Sequence, residues 1–330
     1  MDNQTPSPAI PGAAPLADAA QTFSALSREE RTLLTEIAAL RDLPTGAFSL
    51  RRNGQGAIRQ SVPGVEIRAK TDRPGIDILV EPGIRDQTIH IPVVVTQAGV
   101  QDLVYNDFYI GQGADVLIVA GCGIHNDGGA ESRHDGIHHI HLARGARLRY
   151  LEKHYGAGTG AGGRVLNPTT QVDQEEDSYC EMELVQIAGV DHTLRTTQAH
   201  LGPGAKMVIT ERLLTQGSQQ ALSQVDIYLE GDGSSAQIVS RSVGQQQSVQ
   251  EFRINAVGAA ACQAHVQCDS IIMDDARISS IPAITAQHPD AQVVHEAAIG
   301  RINSDQLLKL QSFGLSAQEA EEVIIQGFLK

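Results

Sequence analysis

Between about Phe48 and Glu296, apolar and polar residues alternate in short runs broken by Gly, Pro, Asn and Asp, as in IDILVEPG, TIHIPVVVTQ and VLIVAG. A period of two is the mark of strands with one buried face, so this stretch is predicted to be β throughout. A longer period lies over the short one. A small or turn residue, then Ala, one polar residue and an apolar strand recur as GADVLIV from Gly113, GARLRYL from Gly145, GAKMVIT from Gly204 and SAQIVS from Ser235. DARIS from Asp275 and DAQVV from Asp290 repeat the same pattern. The first three intervals between these starts are one, two and one steps of a common length. Such a step predicts a solenoid, in which each coil sets its turn at one corner and lays its strand beside that of the previous coil. A β-sandwich also has many short strands, but its turns carry no longer period.

The pattern changes at both ends. Residues 1–22 are rich in Pro and Ala without apolar periodicity and read as a mobile tail. The region 23–47 reads as helical. Ser27 and Glu30 form a capping box, and Leu33, Leu34, Ile37 and Leu40 follow at helical spacing until Leu43-Pro44. Its narrow apolar face is suited to packing on the main domain or on a partner. The β core is predicted over 48–302. Beyond it, Asn303 and Gln306 precede Leu307, Leu308 and Leu310, with Gly314 placed to end that helix. Ser316 and Glu319 form a second capping box before Val323, Ile324 and Ile325. The helical pair in 303–330 is expected to cap the last coil, and Phe313 and Phe328 are available as anchors for another protein.

Composition narrows the classes of function. The 330 residues are 41% hydrophobic, enough for a large core, and the net charge is −14 from 39 acidic and 25 basic side chains. Without a Lys/Arg cluster, nucleic acid is not an expected partner. No apolar run approaches the ~20 residues that span a bilayer, and the first residues lack the charged and apolar regions of a signal peptide, so a cytoplasmic, membrane-free location is expected. Four cysteines, Cys122, Cys180, Cys262 and Cys268, are too few for a disulfide scaffold. Scarce aromatics (4%, no Trp) and 32 glycines suit short strands and tight corners.

Three stretches carry candidate chemistry. In GCGIHNDGGAESRHDGIHHIHL, His139 and His141 fall on one side of a strand, as metal-binding His-x-His pairs do, with His154 or Cys122 as a third ligand. The plain alternative is a polar strand face. GAGTGAGG contains a G-x-G-x-x-G string at Gly158, Gly160 and Gly163, but RVLNPTTQ follows where a dinucleotide site needs a helix, so it reads as a flexible loop. Cys180 and Cys262 read as small core residues. Cys268 stands beside Asp269 and Ser270, and His295-Glu296 follows at close to one coil's length. Thiolate, imidazole and carboxylate together make a ligand set for iron or zinc.

The string from QCDSIIMDDARIS through PDAQVVHEAAIG to DQLLKLQSFGLSAQEAEEVIIQGF resembles the C-terminal signature of the SufB/SufD family, the scaffold subunits of SUF iron–sulfur cluster assembly. A looser likeness reaches back to about Val100, through Gly121-Cys122, the His-rich strand and GARLRY. The resemblance implies a right-handed parallel β-helix that dimerises through its last coils, with the C-terminal helices docking a SufC-type ABC ATPase. It implies a scaffold without catalysis of its own, the ATPase activity residing in that partner. Cys268 matches the SufB cysteine at the subunit interface, His295 and Glu296 match the His-Glu pair that helps hold a transient iron–sulfur cluster, and Cys122 matches a cysteine implicated in accepting sulfur. SufD-type chains tend to have Gly after that His, so Glu296 leans toward SufB. The sequence departs from SufB in its shorter length, in lacking Trp, and around Lys153-His154, where the polar residues of the SufB sulfur path are not reproduced. A compact form of this kind fits a homodimer as well as a SufB/SufD pair, delivering clusters to apo acceptor proteins. The alternatives are a SufD-like structural subunit that ligates nothing and a His-ligated metalloenzyme built on His139 and His141.

Overall fold

The computed structural model describes residues 18–330. Two helices come first, α1 (Ala19–Ser24) and α2 (Arg28–Ala38). Next, β1 (Ala47–Arg52) and β2 (Gln55–Gln60) form an antiparallel hairpin, and β3 (Val65–Ala69) pairs antiparallel with β4 (Gly75–Val80). Two short strands, β5 (Arg85–His90) and β6 (Val93–Val95), lead into the regular region. There β7 (Gln101–Ile110), β9 (Ser132–Leu142), β11 (Arg164–Gln174), β13 (His192–Leu201), β15 (Gln220–Leu229), β17 (Val249–Gly258) and β19 (Arg277–Ala286) form one parallel sheet. Alternating with them, β8 (Asp115–His125), β10 (Arg147–Ala157), β12 (Tyr179–Ala188), β14 (Lys206–Thr215), β16 (Ser235–Gly244), β18 (Gln263–Ile272) and β20 (Gln292–Gly300) form the other. Helices α3 (Ser304–Ser312) and α4 (Ala317–Phe328) close the chain. The architecture is the expected parallel β-solenoid, about eight coils long.

Its core follows from strand parity. Inward residues of the two sheets, such as Ile118, Met182, Ile209, Ile238 and Val266 facing Ile140, Val172 and Ile227, form one continuous buried column. The coil step is uneven. Asp115 pairs with Arg147 and Arg147 with Tyr179, two equal steps. The later pairs, Tyr179 with Lys206, Lys206 with Ser235, Ser235 with Gln263 and Gln263 with Gln292, are all closer in sequence, and the first of these is the shortest. The coil skipped by the sequence motif is that of β12. Its corner holds Asp177 at φ 58°, in the left-handed conformation that Gly113, Gly145 and Gly204 adopt at the equivalent corners. Asp tolerates this conformation better than most residues, so the fold persists while the motif disappears. DARIS does not belong to the same column: it opens β19, in the opposite sheet from the other motif strands.

At the start, α2 has the capping box between Ser27 and Glu30, but it ends at Ala39 in the left-handed conformation, earlier than the Leu43-Pro44 stop. Leu33, Leu34 and Ile37 are buried with Phe48, Leu50, Val94 and Val119, so the helix packs on the solenoid itself. Gly121 and Gly123 of β8 make this possible. A Cβ at Gly121 would collide with the Ile37 backbone. Of the expected tail, residues 1–17 lie outside the described residues, whereas Ala19–Ser24 are helical and bury Phe23.

The C-terminal pair differs from the expected cap. Helix α4 lies over the outer face of β12 and β14, where Val185, Ile187, Arg212 and Leu214 line a space shared with Ile325 and Leu329. Arg212 Nη2 donates to the Lys330 carbonyl at 3.1 Å. Among the described residues the final coil is therefore left open, and β19 and β20 are largely exposed along their length.

Candidate functional site

Cys268 lies on the inner face of β18, only 2% exposed, one strand from the open end. The last coil step is two positions longer than the separation of Cys268 from His295, so Cys268 pairs with Ala297 instead. His295 pairs with Val266, two positions back on the same face, which sets its backbone roughly 8 Å from that of Cys268 by strand geometry. The thiol and the imidazole thus share the inner face as diagonal neighbours. Glu296 does not join them. Adjacent strand residues point to opposite faces, and Glu296 projects outward, 3.6 Å from His265 Nε2.

The inner end is rich in unsatisfied polar atoms. Both ring nitrogens of His295 and the Ser280 hydroxyl are shielded from solvent without a hydrogen-bond partner among the described residues. Burial pushes the Cys268 thiol up to about 11, and burial lowers His295. At neutral pH the site therefore offers a protonated thiol and a neutral imidazole. Ligation of a soft metal ion by this thiol requires the loss of its proton.

Cys122 is also inward and buried, beside His154 of the next coil. Its thiol is raised well above the usual range by burial and then by the Glu152 and Asp102 carboxylates. From this point a file of polar side chains runs through the apolar core toward Cys268. His154 Nε2 lies 3.6 Å from Glu152 Oε1, and Glu152 is paired with Arg195, whose Nε is 3.6 Å from Glu211 Oε1. The Ser240 hydroxyl donates to Glu211 Oε2 at 3.1 Å, and Ser240 is the register partner of Cys268. Burial works against charge on Glu152, but Arg195 and His154 outweigh it and hold the carboxyl well below its ordinary range. Sequence reasoning missed Glu152, Arg195, Glu211 and Ser240. Their signal is phase: in LRYLEKH, Glu152 has the parity of Leu148 and Tyr150, and in MVITERL, Glu211 has that of Met207 and Ile209. Lys153 is out of phase with this file, on the opposite strand face from Glu152 and His154.

His139 and His141 share one side of β9 as expected, but that side faces outward and neither His154 nor Cys122 completes a set with them, because both of those point inward. Asp173 of the next coil does so, with Oδ2 at 2.6 Å from His139 Nε2 and 3.6 Å from His141 Nδ1. The glycine-rich string is a packed corner and not a free loop: Gly160 and Gly162 bond back to Asn126 and Gly128, and strand β11 follows without a helix. Cys180 and Cys262 are buried core residues.

Fold and site together define a β-solenoid protein with thiol and imidazole chemistry gathered at one open end. A family model described as "SUF system FeS cluster assembly, SufBD core domain" matches residues 100–328. The chain belongs to the SufBD family of iron–sulfur cluster assembly proteins. An iron–sulfur cluster assembly SufBD family protein of Methanothermobacter thermautotrophicus is 24% identical over 265 residues, covering 79% of this chain and 63% of that protein. One from Pyrococcus horikoshii is 25% identical over 328 residues, 94% of this chain and 97% of the relative. The iron–sulfur cluster assembly protein SufB of Bacillus subtilis is 31% identical over 137 residues, 39% of this chain and 29% of SufB. No helix among the described residues is long and apolar enough to cross a membrane.

Proposed function

We propose that the chain is a non-catalytic scaffold on which an iron–sulfur cluster is assembled, working as a homodimer with a SufC-type ABC ATPase. The observation that carries this reading is the open final coil, where a buried thiol and an unpartnered imidazole stand together next to an unprotected sheet edge. An exposed edge with apolar residues is a template for another strand. Ile281, Ile284, Val294 and Ile299 are 52, 45, 49 and 42% exposed there. In this reading a second protomer meets the first across β19 and β20, so each Cys268–His295 pair faces its counterpart. Glu296, turned outward beside His265, ligates only through the partner or after the strand end rearranges.

The chemistry asked of the site is modest. Iron and sulfide are the substrates; the Cys268 thiolate and His295 imidazole hold iron after the thiol proton leaves. So few protein ligands make the cluster easy to pass to an apo acceptor. Cys122, buried at the far end of the polar file, is the proposed sulfur acceptor. Helices α3 and α4, with Leu308, Phe313 and Val323 exposed at 62, 73 and 48%, are the proposed dock for the ATPase. Anaerobic reconstitution with iron and sulfide tests the core of this reading. Wild type should develop the visible absorption of a cluster, and Cys268→Ala should lose at least most of it while its far-UV circular dichroism stays unchanged. Equal cluster formation by both proteins would overturn the assignment of Cys268 and favour a subunit that ligates nothing.

A further inference from the structure

The outer face of the β9/β11 sheet carries a second set of ligating atoms, unconnected to the open end. We propose that His139, His141 and Asp173 bind a divalent first-row transition-metal ion of the Fe(II), Co(II) or Zn(II) class. The argument starts from strand periodicity. His139 and His141, two apart on β9, project from one face with ring centroids 3.8 Å apart. The coil step from β9 to β11 then sets Asp173 in register with His141. One nitrogen from each imidazole and a carboxylate oxygen lie within 4.8 Å of one another, and all three residues are half-buried. Small side-chain rotations bring such atoms to the ~2.0–2.2 Å bonds of a common ion.

Neighbours hold the set in place, as outer residues do around metal ligands. Tyr109, the register partner of His141 on β7, stacks on its ring at 5.0 Å with planes 7° apart. Gln171 Nε2 donates to Asp173 Oδ1 at 3.4 Å, which leaves Oδ2 for the imidazoles. The nearest further candidates are engaged elsewhere: Asp107 bonds Lys70 at 2.6 Å, and His200 bonds Glu230 at 3.0 Å and stacks on Tyr228. The remaining coordination positions therefore open to water. Two imidazoles and one carboxylate with open positions are the donor set of borderline divalent metals; no thiolate is present to select a soft ion, and the nitrogens disfavour Mg(II) and Ca(II).

Titration of the full-length chain with Co(II) under anaerobic conditions tests the site. One equivalent should bind with weak d–d bands and no sulfur-to-metal charge transfer, which separates it from any ion held by Cys268. Asp173→Asn, nearly isosteric and on a half-exposed position, should weaken that equivalent at least tenfold, and His139→Ala with His141→Ala should abolish it while circular dichroism is unchanged. The inference is overturned if wild type takes up no such equivalent, or if the variants bind it as wild type does. Neither result touches the cluster reconstitution that tests Cys268.

Discussion

Inside the solenoid, single titratable residues are held in charge states that their surroundings impose. His138 faces the core between Phe108 and Tyr150, and burial lowers it to about 4. Its folded-state value is thus below the ordinary unfolded value, about 6.5. The contribution of a neutral buried His is fully present above 6.5 and is lost as pH falls from 6.5 toward 4, because the unfolded chain then takes up the proton first. The full difference is worth up to about 3 kcal/mol. Buried His154 is lowered as well and adds to the loss, while Asp102 and Glu152, held below the carboxylate range, stay charged through this window. Urea unfolding at pH 7 and pH 4.5 should show wild type losing more stability than His138→Gln, by about 1–3 kcal/mol. Equal losses in the two proteins would mean that His138 does not titrate in this way.

At the scale of elements, α2 shows how a helix is seated on a solenoid. Its apolar stripe of Leu33, Leu34 and Ile37 needs a flat landing, and β8 provides one by carrying Gly121 and Gly123 on its outward face. The same strand turns Cys122, between them, into the interior. Gly121→Ala puts a methyl against the Ile37 backbone, an overpacking expected to cost about 1–3 kcal/mol. Thermal denaturation should show a lower midpoint, and amide exchange should accelerate in α2 before the core strands. Gly129→Ala, where a methyl meets nothing within 4 Å, should leave both measurements unchanged. Unaltered exchange in α2 of the Gly121 variant would show that the helix is held in some other way.

For the whole molecule the two ends differ. The first is extended by the β1–β2 hairpin and β3–β4, with α2 laid along the side over β8; among the described residues the last is open, with α4 laid along the side over β12 and β14. Large apolar side chains on an unpaired edge predict self-association there. Analytical ultracentrifugation should find wild type dimeric at micromolar concentration, and Ile281→Asp with Val294→Lys should shift it to monomer without changing the unfolding midpoint by more than a few degrees. A monomeric wild type, or a double variant that still dimerises, would remove the basis for a site completed between protomers.

How much of this was legible in the chain follows from the range of the forces involved. Strand parity, the recurring corner and the capping boxes at Ser27 and Ser316 are local: they depend on residues within a few positions and on where glycine or aspartate tolerates a left-handed turn. These determined the solenoid, the helices at its ends and the candidacy of Cys268, His295, His139 and His141. Register is not local. It depends on the length of every loop between corners, and coils as unequal as those joining Arg147 to Tyr179 and Tyr179 to Lys206 cannot be read from an average step. Only the folded coils decided that Cys268 sits over Ala297 with His295 diagonal to it, that Glu296 faces the other way, and that Asp173 completes the histidine pair. Charged residues in phase with apolar ones marked the file from Glu152 to Ser240 along the chain, but their pairing across coils needed tertiary neighbours. The sequence by itself determined which face each residue takes; the stacking of coils decided which residues meet, because contact between distant segments is set by accumulated loop length and packing.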